Sequence, residues 1–358
     1  MADCPPLERG PPERRPAERA PLERARLART ISALENAEPV DAELLRRGQA
    51  RLAEVRVVGL TGPPGAGKST LADAIAAAWA GQGRRVAVIA VDPSSPWSGG
   101  ALLGDRFRMG RCEPLDEVYV RSVAARGHPG GLAAAVPEIC VALAAFGVER
   151  ILVETVGAGQ NDVEVKDHAD AVVVVSVPGL GDFLQVAKAG LMEIGDVYAV
   201  NKADMPGAEA VRADIEGMLD IAYAPLRRGR PAAGPAPSAG ERMLRDRHGP
   251  GEGAESWRPP VLPVAATTGA GVDDLIAAVD RHLAWSETSG HFGRRRLAML
   301  RAQLAERLAV ALRVELGRAE GDGPDRLSRW AGRVAAAELL PQEAVAAMLR
   351  EFRAHPGG

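Results

Sequence analysis

Short apolar runs alternate along the chain with stretches whose apolar residues recur at helical spacing. Six runs predict buried strands, at residues 55–60, 85–91, 151–154, 171–177, 197–200 and 261–265. Helical patterns fall between several of them, at 70–79, 132–146 and 184–192. Strands that alternate with helices in this way indicate an α/β fold of three layers, a mostly parallel sheet with helices on both faces.

The N-terminal part departs from this alternation. Residues 1–25 carry a Pro-x-Glu-Arg-x repeat without an apolar face, and its regular prolines predict a disordered tail. A mitochondrial transit peptide is the alternative, but glutamate recurs in every repeat and such peptides contain few acids. Residues 26–52 then turn helical, which predicts an N-terminal helical extension.

The main domain is predicted to cover residues 53–289, interrupted at 225–260 by a stretch rich in proline and glycine. That composition predicts a flexible insertion. Residues 290–358 form a predicted C-terminal helical region, with helices at 294–316 and 328–353. The apolar stripes of these helices must be buried against the main domain or against another subunit.

The overall composition limits the classes of protein that remain. The chain has 358 residues, 46% hydrophobic and 25% charged, with a formal net charge of -3. This charge provides no general attraction to nucleic acid or acidic lipid, and the apolar runs are too short to cross a bilayer. The three cysteines form no CxxC pair, which fits a reducing cytosol. We therefore expect a cytoplasmic protein that binds neither nucleic acid nor membrane.

Lysine is rare in this sequence. Lysine and arginine together number 44, and only four of them are lysines: Lys68, Lys166, Lys188 and Lys202. Because ammonium and guanidinium differ in size and geometry, a lysine retained among so many arginines can mark a position where arginine does not serve. The alternative is that some of the four are ordinary surface residues.

The most specific motif is GxxxxGK[ST], which stands between a predicted strand and a predicted helix. It comprises Gly62, Pro63, Pro64, Gly65, Ala66, Gly67, Lys68 and Ser69, and Thr70 follows it. The glycines of such a loop let backbone N–H groups surround phosphate oxygens at a helix N-terminus. Lys68 is expected to reach the β and γ phosphates, and Ser69 to bind Mg²⁺. The motif predicts the P-loop NTPase fold.

A second motif indicates which base the nucleotide carries. Asn201, Lys202 and Asp204 form an NKxD element at the end of a predicted strand. A buried Asp204 can accept hydrogen bonds from guanine N1 and the exocyclic amine, and adenine would leave it unpaired. The Lys202 stem can cover the base. The last predicted strand ends in a loop whose backbone N–H can contact guanine O6: Ala265, Ala266 and Thr267.

Acidic residues at strand ends are candidates for holding Mg²⁺ near the γ-phosphate. Glu154 ends a strand and Gly157 follows three residues later, as in a DxxG element with glutamate for aspartate. Glu154 is expected to hold Mg²⁺ through water, and the Gly157 amide to sense the γ-phosphate. Asp92 and Asp105 bracket a long glycine-rich loop that we interpret as a switch. Alternatively, both aspartates cap helices.

Several segments together resemble one family, the methylmalonyl-CoA mutase-associated GTPases, also called ArgK-type proteins. The similar segments are GPPGAGKST, VDPSSPWSGGALLGDRFRM, ILVETVGAGQ, VPGLGDFLQVAKAGLMEIGD and VNKAD. The second and fourth are not general GTPase motifs, so the resemblance is specific. It covers about residues 26–223 and 257–316. One departure is Asn161-Asp162, where the family pattern leads us to expect Ser-Glu.

The resemblance implies a GTPase that is a homodimer through its C-terminal helices. It implies an adenosylcobalamin-dependent acyl-CoA mutase as the partner, with a cobalamin adenosyltransferase as a second candidate. GTP binding and hydrolysis would gate cofactor loading and protect the mutase from inactivation. The family's roles in Mg²⁺ binding and hydrolysis fall on Asp92, Asp105 and Glu154, and a third mobile loop falls on residues 178–188.

Lys188 is the further candidate for a catalytic role in that third loop. It follows Gln185 by three residues, so the two side chains would share one helix face near a strand end. A cation there could meet the nucleotide phosphates or the switch acids when the partner docks. The alternative is a solvated surface lysine.

Three other functions are compatible with parts of the sequence. A nickel or cobalt metallochaperone GTPase needs Cys or His ligands near the nucleotide, and the six histidines are scattered without ligand spacing. An ATP-dependent kinase of transport proteins is opposed by the guanine element. A nucleic-acid GTPase is disfavoured by the net charge, although Arg294, Arg295 and Arg296 form a local basic cluster.

Overall fold

The apolar runs form a seven-stranded sheet, rich in β-branched residues that suit strands buried on both faces. The structure is a computed structural model. It describes residues 23–36, 38–92, 110–112, 115–124, 132–155, 164–179, 193–228, 239–249, 255–316 and 325–354.

The strands all run parallel in the order β3-β2-β4-β1-β5-β6-β7. They are β1 (Arg56–Thr61), β2 (Val86–Asp92), β3 (Val118–Ala124), β4 (Arg150–Thr155), β5 (Ala171–Ser176), β6 (Val197–Asn201) and β7 (Val261–Val264). β1 lies in the interior of the sheet, with Leu60 beside Glu154 of β4 and Thr61 beside Val174 of β5. The carboxyl ends of these strands therefore meet at one edge.

Ten α-helices accompany the sheet in the described ranges. They are α1 (Arg24–Glu35), α2 (Ala42–Arg51), α3 (Lys68–Gly81), α4 (Leu132–Ala145), α5 (Ala208–Arg228), α6 (Ala239–His248), α7 (Val272–Thr288), α8 (His291–Leu316), α9 (Arg326–Ala335) and α10 (Pro341–Ala354).

Two apolar cores separate these helices into layers. One core contains buried residues of α1, α4 and α5, such as Ile31, Leu143 and Ile215. The other contains buried residues of α3 and α7, such as Ile75 and Leu275. Helices that cover both faces of a parallel sheet make the three-layer α/β fold, so the predicted fold class is confirmed.

The edge strand β3 was absent from the predicted elements. Its sequence interrupts the apolar run with Arg121 and Ser122, because an edge strand needs no continuous burial. The Arg121 guanidinium instead forms an ion pair with Glu35 and donates to Ser32 Oγ over 2.9 Å, both in α1. The N-terminal helical extension thus packs against the edge of the sheet.

The prediction of a flexible insertion at 225–260 is wrong for its residues 239–249. Helix α6 occupies this part, and its last residue, His248, is fully buried. Trp257, also in the predicted insertion, donates from its indole nitrogen to the Asp196 carbonyl over 2.9 Å. A composition rich in proline and glycine did not reveal these few buried anchoring residues.

A buried carboxylate explains why that part of the chain is ordered. Asp196 precedes β6 and accepts hydrogen bonds from the Val172 amide (2.7 Å), from Arg247 (2.8 and 2.6 Å) and from Arg295 (3.1 Å). His248 Nε2 lies 2.6 Å from its Oδ1. Burial alone would raise the Asp196 pKa, but the nearby positive charges and the His248 hydrogen bond hold that pKa well below its usual range.

The residues up to Met299 and those from Leu300 onward form two compact units. In the second unit, the predicted helix at 328–353 is two helices, α9 and α10. Between them, Ala337 adopts a φ of 56°, a left-handed conformation that a right-handed helix cannot pass through. Leu304 and Leu308 of the apolar stripe on α8 are exposed in the single chain. The dimer contact of this region stays a prediction.

Within the described ranges, none of the helices combines the length and apolar character that a membrane crossing needs.

Folding stability should fall as the pH drops from about 6.5 to about 5. Burial lowers the pKa of His248 to about 4 and of His282 to about 3, so both are neutral in the folded chain. The unfolded chain protonates them near pH 6.5 and so binds more protons below it. Each histidine can then cost up to about 1.4 kcal/mol per pH unit.

Urea denaturation at pH 7.5, 6.5, 5.8 and 5 measures this slope. The window lies above the range in which unfolded carboxylates titrate, near pH 4, so Asp196 does not contribute to it. His248→Gln should reduce the slope by removing one of the histidines whose pKa burial lowers; His168 and His291 are also in this group. A free energy of unfolding that is constant across the window would contradict the burial of two neutral histidines.

Candidate functional site

The loop after β1 has the geometry of a phosphate-binding loop. Gly62, Gly65 and Gly67 have φ values of 144°, 77° and 78°, which favour glycine. A Cβ at Gly62 would lie 2.2 Å from the Val175 carbonyl oxygen on β5, and no side chain fits there. The glycines are therefore required by the path of the loop between β1 and α3.

Lys68, the first residue of α3, folds back over this loop. Its Nζ donates to the Gly62 carbonyl over 2.7 Å and to the Pro63 carbonyl over 3.0 Å, and the side chain is buried. These contacts hold a positive charge at the helix N-terminus, where the backbone N–H groups already favour an anion. A phosphate of a nucleotide could take the place of the two carbonyls.

Ser69 and Glu154 join the phosphate loop to the end of β4. The Ser69 hydroxyl donates to Glu154 Oε1 over 2.7 Å, and the Glu154 side chain is buried. Both groups offer oxygen, the ligand type that Mg²⁺ prefers. The donor set therefore fits a magnesium site at this edge.

Asp92 ends β2, which pairs with β4 so that Val91 lies beside Thr155. The Asp92 backbone is therefore at the same edge of the sheet as Glu154. Asp105, Gly157 and Lys188 lie outside the described residues, and their roles stay predictions.

Asn201 bridges two loops of the site. Its Nδ2 donates to the Ala66 carbonyl over 2.8 Å, and its Oδ1 accepts from the Ala266 amide over 3.1 Å. The side chain is buried, and a Cβ on Gly67 would lie 2.6 Å from Nδ2. The amide of Asn201 thus holds the phosphate loop against the loop after β7, a positioning role that the NKxD motif alone does not show.

Lys202 and Asp204 project from the end of β6. Lys202 has a φ of 56°, and its Nζ donates to the Gly65 carbonyl over 3.1 Å, so its stem lies beside the phosphate loop. Asp204 is exposed, contrary to the expectation of a buried carboxylate. Because Asp204 is accessible, a bound base could reach its carboxylate directly. Discrimination between bases would then depend on the hydrogen bonds that the base forms with this carboxylate.

Most backbone N–H groups of the loop after β7 are already paired. The Ala265 amide donates to the Ala270 carbonyl, the Ala266 amide to Asn201, and the Thr268 and Gly269 amides to the Ala265 carbonyl. Among the described residues, the Thr267 amide has no such partner. Thr267 is also exposed, so its N–H is the best candidate for guanine O6.

Two residues near the site were missed by the sequence analysis. Asp73 of α3 is buried and accepts from the Arg111 and Cys112 amides over distances of 2.9 to 3.2 Å. Arg111 in turn donates from its guanidinium to the Thr267 carbonyl. Asp73 could have been noticed as a lone acid in an alanine-rich helix, four residues after Ser69. No sequence pattern distinguishes Arg111 from the many other arginines.

The chain was also compared with known proteins. Residues 27–315 match the family described as methylmalonyl Co-A mutase-associated GTPase MeaB. A protein of Pyrococcus abyssi named as a GTPase is 36% identical over 326 residues, which is 90% of this chain and 91% of the relative. The GTPase ArgK of Escherichia coli is 35% identical, with coverage of 62% of this chain and 60% of ArgK.

Among solved structures, one titled LAO/AO transport system kinase superposes with a TM-score of 0.60. It is 24% identical and covers 92% of this chain and 94% of its own, and at that identity it supports the fold alone. The family match spans most of the chain and includes every motif at the carboxyl edge. The chain therefore belongs to the methylmalonyl-CoA mutase-associated GTPase (MeaB) family, and it is a GTPase.

Proposed function

We propose that the carboxyl edge of the sheet binds GTP with Mg²⁺ and that this chain uses its hydrolysis to serve an adenosylcobalamin-dependent acyl-CoA mutase. The observation that carries the nucleotide part is the Ser69–Glu154 hydrogen bond of 2.7 Å beside the Lys68 ammonium. It joins an oxygen donor of the phosphate loop to the acid at the end of β4. That is the arrangement a triphosphate with its metal requires.

The phosphates would lie on the backbone N–H groups of Gly62 and of Gly65 to Thr70, since the two prolines between them have none, with Lys68 against the β and γ phosphates. Ser69 and Glu154 would hold Mg²⁺, joined by Asp92 and Asp105. Mg²⁺ supplies neutralisation of the charge on the β and γ phosphate oxygens. The Gly157 amide would contact the γ-phosphate, and hydrolysis would release that contact and free the loops on either side.

Guanine would lie between the Lys202 stem and the loop after β7. Asp204 would accept from N1 and the exocyclic amine, and the Thr267 amide would donate to O6. Asn201 would hold the two loops at the spacing the base needs, as its bonds to Ala66 and Ala266 do in the free chain. Adenine offers no donor at N1 and no polar group at C2, and its amine donates where guanine O6 accepts, so the site should exclude ATP.

The family's description is what supports the mutase as partner. A mouse relative named methylmalonic aciduria type A homolog, mitochondrial, is 34% identical over 61% of this chain and 46% of its own length. We propose that GTP hydrolysis gates cofactor loading and protects the mutase, with adenosylcobalamin bound by the mutase and not by this chain. A cobalamin adenosyltransferase is a second candidate partner, and the C-terminal helices would join two copies of the chain.

A metallochaperone function is less well supported by the placement of the histidines. Asp196, His248 and His282 approach one another, but they lie before β6 and in helices at the amino edge. The nucleotide site lies at the carboxyl edge, so this cluster could not exchange a metal with it directly.

The chain should bind GTP and GDP, with little binding of ATP. Titration calorimetry with Mg²⁺ measures all three. Asp204→Asn should weaken GTP and favour xanthosine triphosphate, because the amide donates where the carboxylate accepted. Losing a hydrogen-bonded charged partner costs roughly 1.5 to 3 kcal/mol, so GTP affinity should fall by at least about tenfold. Comparable affinity for ATP in the unchanged chain would refute the proposed guanine site.

Lys188→Ala should remove most of the acceleration of GTP turnover that the mutase produces. If Lys188 reaches the phosphates only when the partner docks, GTP affinity and turnover of the isolated chain should stay nearly unchanged. The assay compares GTP turnover with and without saturating methylmalonyl-CoA mutase, for the unchanged chain and for the Lys188→Ala variant. Full stimulation of the variant would contradict this role, and so would a large loss of its activity without the mutase.

A further inference from the structure

A second cavity lies at the edge of the sheet opposite to the nucleotide site. Its volume is about 700 Å³, within the range of small-molecule sites. Its walls come from the turn before β5 and from helices α6, α7 and α8. Asp170 and Asp196, which precede β5 and β6, mark this as the amino edge. None of the P-loop or NKxD residues lines it.

Positive charge predominates in the lining of this cavity. The cations are Lys166, Arg242, Arg245, Arg247, Arg294 and Arg295. The acids in the lining are Asp167 and Asp246. Arginine side chains suit phosphate and carboxylate groups because the guanidinium can donate two parallel hydrogen bonds. Such a concentration of cations around a concave surface favours a small anion.

Two nitrogen atoms of the Arg295 guanidinium have no hydrogen-bond acceptor among the described residues. Its Nη1 donates to Asp196 Oδ2 over 3.1 Å, while its Nε and Nη2 are buried without a hydrogen-bond partner among those residues. Buried donors of a charged group are normally paired, and leaving them unpaired is costly. An oxyanion would satisfy both nitrogens at once when the guanidinium turns toward the cavity.

His282 adds a hydrogen-bond acceptor. The side chain is 1% exposed and lines the cavity, and its Nδ1 has no partner in the described part of the chain. Its Nε2 lies 3.5 Å from Asp196 Oδ1, so a neutral His282 that points its N–H at the carboxylate leaves Nδ1 as an acceptor. A ligand with an O–H group, such as a singly protonated phosphate, complements it.

A metal ion is the other ligand to consider, because Asp196, His248 and His282 place their donor atoms within 4.8 Å of one another. Both oxygens of Asp196, however, already accept hydrogen bonds from Arg247. His248 Nδ1 lies 2.6 Å from the Tyr223 hydroxyl. Two guanidinium groups on the same carboxylate would repel a cation, and they leave the cluster suited to support an anion site.

Lys166 gives independent support. It is one of four lysines among 44 basic residues, and two of the others stand in the P-loop and the NKxD element. The fourth, Lys188, lies outside the described residues. Lys166 is not a fully solvated surface residue. It is only partly exposed, and it lies in the wall of the cavity. The described lysines of this arginine-rich chain thus stand in the P-loop, in the NKxD element and in the wall of this cavity.

We propose that this cavity binds a small oxyanion, a phosphate- or carboxylate-bearing metabolite, at a site separate from the nucleotide. Arg295 and Arg247 would form its floor above Asp196, with Lys166 and Arg245 in its wall. Because α6, α7 and α8 all contribute residues, occupancy would tie these helices to the amino edge of the sheet.

Titration calorimetry with pyrophosphate and with succinate, on protein saturated with GDP to occupy the nucleotide site, tests this proposal. One site should bind pyrophosphate, and binding of succinate as well would extend the ligand class to carboxylates. Arg295→Gln should weaken binding by about tenfold or more, the loss expected for a charge-assisted hydrogen bond. Arg281 is exposed on α7 and lies outside the cavity, so Arg281→Gln should leave the affinity for pyrophosphate unchanged.

Arg295→Gln could unfold the chain, because Arg295 pairs with the buried Asp196. The double variant Lys166→Gln/Arg245→Gln changes only the wall of the cavity. It should lower the affinity for pyrophosphate by roughly tenfold and leave the affinity for GDP unchanged. If neither pyrophosphate nor succinate binds, the proposal is overturned, even if an acidic peptide binds in the cavity. Full pyrophosphate affinity in the double variant and in a folded Arg295→Gln protein would overturn it too, because the anion would then bind elsewhere.

Discussion

The nucleotide site depends on one buried amide. Asn201 stands at the end of β6, where it can reach the phosphate loop after β1 and the base loop after β7, although β5 separates β6 from β1. Its side chain donates to Ala66 and accepts from Ala266, so one planar group sets the spacing between the two loops. Gly67 must lack a side chain for this contact, and the turn at Lys202 then places its ammonium on the phosphate loop.

The amino edge of the same sheet is organised by carboxylates. Asp170 accepts from the Val57 amide over 2.9 Å and from Arg296 over 2.8 Å, and Asp196 accepts from the Val172 amide, Arg247 and Arg295. The two arginines, Arg295 and Arg296, thereby fix the first turns of α8 to the sheet. Parallel strands leave unpaired backbone amides at their amino ends, and a buried acid satisfies an amide and an arginine together.

Local patterns allowed the three-layer fold to be predicted, and they indicated the loops of the candidate nucleotide site, because the P-loop and the NKxD element each follow a strand whose apolar run is evident. Other features depend on contacts distant in sequence. Asp196, His248 and His282 are scattered along the chain and come together only through packing, so a search for ligand spacing missed them. Helix α6 lies in a stretch whose average composition hides its buried His248. The exposure of Asp204 and the contact of Arg111 with Thr267 depend on how loops cross, which periodicity does not report.

We propose that the loops after β1, β6 and β7 form one guanine-nucleotide site, held together by Asn201. Hydrogen–deuterium exchange of the chain with and without GDP and Mg²⁺ measures this directly, since amides that bind a ligand become protected. We expect GDP with Mg²⁺ to protect residues 62–70, 201–204 and 265–268 together. In Asn201→Ala, the first and third segments should exchange faster together even without nucleotide. Protection confined to the phosphate loop would contradict a single site formed by the three loops. Unchanged exchange rates of both loops in Asn201→Ala would contradict the role of Asn201 in joining them.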